Sequence, residues 1–129
     1  MRALILVLIG LVVGAFGTHM IQRTIQMRHA YPRAVMDIMQ HHFVAMRTET
    51  KAGKCAADTT RGHLQSMLNV SREIGPAFGT DDPHFNDLAN RLRDVLQQAS
   101  TTAPADCKGL AEALTSIHGH CDDCHREYR

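Results

Sequence analysis

The chain opens on an unbroken apolar run, ALILVLIGLVVGAFG, at residues 3–17. After it the apolar positions fall into four separate stretches, each with the alternating steps of three and four that mark one face of a packed helix. The last stretch is the most regular: Cys107, Leu110, Leu114, Ile117, Cys121, Cys124 and Tyr128 follow one another at 3, 4, 3, 4, 3, 4. The third is Phe85, Leu88, Leu92, Val95 and Ala99, opened by Asp82-Pro83, a capping residue followed by proline at the first helical position. The second is Leu64, Met67, Ser71 and Ile74, stopped at Gly75-Pro76, and the first is Pro32, Met36, Met39, Phe43 and Met46, ending near Lys51 to Lys54. Between them "KAGK", "GPAFGTDDP" and "STTAPAD" read as loops. No strand-like alternation of useful length and no repeat is present. The pattern predicts an all-α chain: an antiparallel up-down-up-down four-helix bundle preceded by an N-terminal hydrophobic helix. The expected division is a signal-anchor or signal peptide at 1–21, a connecting segment at 22–30 and the bundle at 31–129.

The N-terminal run carries two readings. Its length and Ala15-Phe16-Gly17, a small-x-small site, suit a cleaved export signal. Met20 and Ile21 extend it towards a membrane-spanning length, and no strong helix breaker stands between Gly17 and Pro32. Arg23, Arg28 and Arg33 follow the run while only Arg2 precedes it, which by itself favours a cytoplasmic C-terminal part. Composition adds little more. With 14 Lys+Arg against 13 Asp+Glu there is no basic field for nucleic acid. No nucleophile–base pair or acidic dyad suggests an enzyme. The 9 His and 7 Met are an unusual store of ligand types for 129 residues.

The chemistry is concentrated in "CDDCH", Cys121 to His125. On a helix, Cys121, Cys124 and His125 stand three and four positions apart and project from one face. That is the spacing of covalent haem attachment, in which two cysteines form thioethers and the histidine binds iron from one side. Zinc would need a second ligand pair, and Cys55 and Cys107 are isolated; His118 and His120 lie on the same helix. A thiol-redox motif expects a strand before the helix. Haem fits best, with a zinc or thiol protein as the remaining alternative.

At the end of a helical chain, "CDDCHREYR" resembles the class II c-type cytochromes, the cytochrome c prime family, whose motif lies near the C-terminus and is commonly followed by x-x-Tyr-Arg. Tyr128 and Arg129 match that extension, and the resemblance covers roughly residues 31–129. It implies one covalent haem c on Cys121 and Cys124, with His125 as proximal ligand and Tyr128 and Arg129 beside the group. The family's distal helix resembles "YPRAVMDIMQHHFVAM" at 31–46, and the alignment through Met39 and His42-Phe43 places Met36 at the distal position. In low-spin members a methionine there binds iron, so the resemblance implies His125/Met36 ligation. Met39 is the runner-up, His29, His41 and His42 are histidine alternatives, and an iron with no sixth protein ligand is the last. The family's propionate-binding arginine falls four before the distal position, where this chain has Pro32; Arg33 or Arg28 is the substitute.

Haem attachment of this kind takes place outside the bacterial cytoplasm, where spare thiols pair. Cys55 and Cys107 lie at the first and third inter-helix connections, which share one end of an up-down bundle, so a disulfide between them is expected there, at the end away from the haem. Export also overrules the arginine bias around the first segment, or that segment is cleaved. The expected protein is a periplasmic single-electron carrier, tethered to the inner membrane if the first segment persists. It would serve redox partners of a bacterial respiratory chain and pair as a homodimer, as family members often do. The rival in the same family is a five-coordinate cytochrome that binds NO or CO.

Overall fold

A computed structural model of the chain describes residues 2–128; the side chains of residues 2–6, 8 and 23–29 lie outside that description. Every regular element among the described residues is a helix: α1 (Arg2–Lys51), α2 (Ala57–Ser71), α3 (Ile74–Phe78), α4 (Pro83–Thr102) and α5 (Cys107–Tyr128). The chain divides into two compact units, Met1–Arg33 and Ala34–Arg129.

The described residues of the first unit are helical from Arg2, including the stretch 22–30 read as a connection and Pro32, which lies inside α1. A proline there gives up one backbone hydrogen bond, and the unit ends one residue later. Its described apolar side chains face outward: Val7, Ile9, Leu11, Val12, Val13, Phe16, Met20 and Ile21 are all more than half exposed. Among the described residues no helix is long and apolar enough to cross a membrane; several residues of the apolar run lie outside that search.

In the second unit one core joins Val35, Met39 and Met46 of α1 to Leu64, Met67 and Leu68 of α2, Ile74 of α3, Phe85, Ala89, Leu92 and Leu96 of α4, and Leu110, Leu114 and Ile117 of α5. α2 packs along α4, and α4 along α5. The predicted faces of α2 and α5 lie in this core or against it. Ser71, a polar member of the α2 face, is fully buried because its Oγ donates to the Leu68 carbonyl at 2.7 Å. On α4 the face differs from expectation in its last turns. Leu96 is fully buried and Val95 only partly, since the helix steps by four after Leu92 rather than by three.

The stretch "GPAFGTDDP" is not all loop. α2 ends at Ser71, and Ile74–Phe78 forms a separate short helix in which Pro76 sits in the first turn, where a missing N–H costs nothing. Gly79 closes it in the left-handed conformation (φ 57°), donating its N–H to the Gly75 carbonyl. Asp82 caps α4 as predicted: its Oδ1 accepts the His84 N–H at 2.9 Å, and Pro83 follows it. At the other end of α4 and α5, Cys55 and Cys107 are joined in a disulfide with Cα atoms 5.2 Å apart.

Candidate cofactor cleft

A cleft of about 300 Å³ opens between α1 and α5, floored by α2, α3 and α4. Met36, Met39, Phe43 and Arg47 line it from α1, at helical steps of three and four; His118, Cys121, Asp122, Cys124 and His125 line it from α5. Met67, Ile74, Leu88, Ala89 and Leu92 give it an apolar floor. The volume and lining suit a small cofactor held by a few polar groups on an apolar bed.

The structure thus brings together both free cysteines, His125 and both candidate methionines. Met36 and Met39 differ in their other surroundings. Met39 is 6% exposed and belongs to the core cluster, whereas Met36 is only partly buried and packs against it. His125 is exposed, and the Cys121 and Cys124 thiols are partly buried. Burial, then the charges of Asp122 and Cys124, pushes the Cys121 thiol up to about 11. Burial, followed by Glu127, also pushes Cys124 up. A redox-active C-x-x-C pair is activated the opposite way, by a lowered pKa. Both thiols are therefore kept protonated in neutral solution. Among the described residues no three His, Cys, Asp or Glu side chains form a group able to hold a metal ion.

The donor set fits a haem attached through two thioethers: two thiols and an imidazole from one helix, a methionine sulfur from another, and an apolar bed between them. His118 is exposed and also lines the cleft; it lies against the Phe43 ring (centroids 5.7 Å apart) and pairs with Asp122 at 2.9 Å. Arg47 and Asp37 are further lining residues that the sequence pattern did not single out. Both stand on the exposed side of α1, where polar residues are ordinary and carry no local signal.

Other expected residues lie elsewhere. Tyr128 is not in the cleft lining. Its hydroxyl donates to Asp82 Oδ2 at 2.5 Å, and its ring meets Phe85 edge-on at 5.1 Å, so it ties the end of α5 to the start of α4. That bond steadies the last turn of the helix that carries the motif. His42 is not in the lining either; its Nδ1 lies 2.9 Å from His63 Nδ1 on α2. His63 is half-buried in that contact. His41 is exposed and also outside the lining. Arg33 is exposed and belongs to the first unit. Arg129 and the side chains of Arg28 and His29 lie outside the described residues.

The Tyr128–Asp82 bond makes stability depend on pH at both extremes. Its hydrogen bond, helped by the His84 backbone N–H, holds the Asp82 carboxyl below the usual carboxylate range. Its contribution is present above the ordinary aspartate value and is lost as pH falls through the lower folded value. The same bond pushes Tyr128 up to about 12. That contribution is present below the ordinary tyrosine value of about 10 and is lost as pH rises through about 12. Tyr128→Phe should flatten both limbs in denaturant midpoints measured across pH. In the unaltered protein, a phenolate absorbance titration should show one of its 2 tyrosines ionising near 12.

Comparison with protein-family models, curated proteins and solved structures finds no match to this chain.

Proposed function

We propose that the chain is a c-type cytochrome that carries single electrons. More narrowly, its reading is that of a low-spin class II cytochrome, in which the part of α1 from Ala34 and α2, α4 and α5 serve as the four antiparallel helices of the bundle. The observation that carries this is the shared cleft: Cys121, Cys124 and His125 line it from α5 while Met36 lines it from α1. Cys121 and Cys124 would hold the haem through thioethers, and His125 and Met36 would serve as its iron ligands. The haem supplies the one-electron chemistry when bound. The chain supplies ligand choice and burial, which set the potential. A thioether opposite a histidine gives a higher potential than a second nitrogen ligand would.

The Cys55–Cys107 disulfide supports an exported location, since such bonds persist in oxidising compartments. We place the protein in the bacterial periplasm, held at the inner membrane by the exposed apolar face of the N-terminal helix where that segment is retained, and serving redox proteins of a respiratory chain.

The test is the visible spectrum of protein matured in cells that attach haem to C-x-x-C-H motifs. Haem that stays with the chain on denaturation, a low-spin spectrum in both oxidation states and the weak far-red band of a thioether–iron bond are expected. A high-spin spectrum that shifts with CO would mark the five-coordinate gas binder instead. Absence of covalent haem would overturn the assignment.

A further inference from the structure

The His42–His63 contact is a second cluster of titratable groups, apart from the cleft. The two Nδ1 atoms are 2.9 Å apart, one on α1 and one on α2, in a half-buried setting. At that separation one nitrogen donates and the other accepts. The contact therefore survives when the pair carries no charge or one, and fails when both rings are protonated at Nδ1. In the singly charged pair, which ring carries both protons, and so donates, is decided by what stands behind each. His63 Nε2 faces Glu49 Oε1 at 4.0 Å, and Glu49 Oε2 is buried with no hydrogen-bond partner. A proton on His63 Nε2 is thus favoured by a carboxylate that has an acceptor to spare. His42 has the exposed His41 ring beside it instead, with centroids 5.2 Å apart. The titratable groups facing the pair are His41 and Glu49 from α1 and His63 from α2.

We infer that Glu49, His63 and His42 form a proton-ordered chain tying α1 to α2, in which the singly charged pair has both protons on His63, Nδ1–H donating to a neutral His42 and Nε2–H turned towards Glu49, and which opens when His42 is protonated as well. Burial, then the charges of His63 and His41, lowers the His42 pKa, as an acceptor in this chain requires. The sign follows: the unfolded chain binds this proton more readily than the folded one. The contribution to stability is full above the ordinary histidine value and is lost as pH falls through the lower folded value. The bond lies on α1 between Met39 and Met46, so it fixes the part of α1 that faces the cleft. It needs no cofactor.

Two measurements on the full chain test it. Histidine ring ¹⁵N shifts should show, in the singly charged pair, His42 neutral and protonated at Nε2 alone while His63 carries a proton on both nitrogens. His42→Asn keeps an acceptor near the Nδ1 position but does not titrate. Relative to that variant, the wild-type unfolding equilibrium constant should rise as pH falls below about 6.5. His42→Leu, which removes the acceptor, should raise the same constant roughly five- to tenfold even at pH 7.5. A singly charged pair in which His42 holds both protons, or wild type and His42→Asn losing stability in parallel, would overturn the chain. The ring measurement on the wild type decides the matter whether or not the variants fold.

Discussion

Met36→Ala should turn the haem-loaded protein from low-spin to high-spin, make it bind CO and lower its reduction potential. The companion Met39→Ala should leave the spectrum low-spin while destabilising the fold. The two side chains line the same cleft, but only Met39 is inside the core cluster, at 6% exposure. Truncating a buried methionine costs about 2–5 kcal/mol through lost burial and the cavity left behind. Met36 is partly exposed and should cost less than that lower bound. The pair of variants therefore separates ligation from packing: spectral change without large destabilisation at one position, the reverse at the other. Visible spectra and urea midpoints of both proteins make the comparison. If Met39→Ala changes spin state and Met36→Ala does not, the distal ligand is Met39.

The second large effect is on stability. Removing the Cys55–Cys107 bond, by Cys55→Ala with Cys107→Ala, should cost about 4 kcal/mol, because the bridge spans 52 residues of sequence and its main action is to restrict the unfolded chain. Against a typical total of about 5–15 kcal/mol for a domain, that is a large share. Urea unfolding with and without the substitutions measures it, and a loss below about 1 kcal/mol would mean that the unfolded chain is not restricted in this way. The haem spectrum should be unchanged. Cys107 opens α5, and Cys121 follows it fourteen residues later, roughly 21 Å along the helix at 1.5 Å per residue. The clamp and the cleft are at different ends of that helix.

How much of this was legible beforehand depends on whether a feature is local to one helix. The relation of Cys121, Cys124 and His125 required only helical spacing, since 100° per residue puts positions three and four apart on one face. The Asp82 cap with Pro83 was equally local. The α5 face from Leu110 to Ile117 could be read residue by residue. The Val95/Leu96 difference on α4 shows where that reading ends: after Leu92 both a step of three and a step of four keep near the same face, and only the neighbouring helices choose Leu96.

The same limit governs the candidate site. Met36 and Met39 are about 60° apart around α1. A small rotation of that helix exchanges which of them enters the core and which faces the opening, and packing against α2 and α4 sets the rotation. His42 and Phe43 adjoin in sequence, yet Phe43 lines the cleft and His42 meets His63. Nothing in "HHF" encodes the partner twenty-one residues away. Tyr128 looked like part of the cofactor's surroundings because it matches the x-x-Tyr-Arg extension of the family the motif resembles. Its partner, Asp82, is 46 residues earlier in the chain, reached only because α5 ends beside the start of α4. By itself, then, the sequence determined the longer helices, most of their apolar faces and the shared face of Cys121, Cys124 and His125, all consequences of short-range backbone geometry. The tertiary structure alone decided which methionine is buried in the core and which is only partly buried, which histidines pair and what holds the last turn of α5. Those depend on helix rotation and contact between distant segments, where no periodicity reaches.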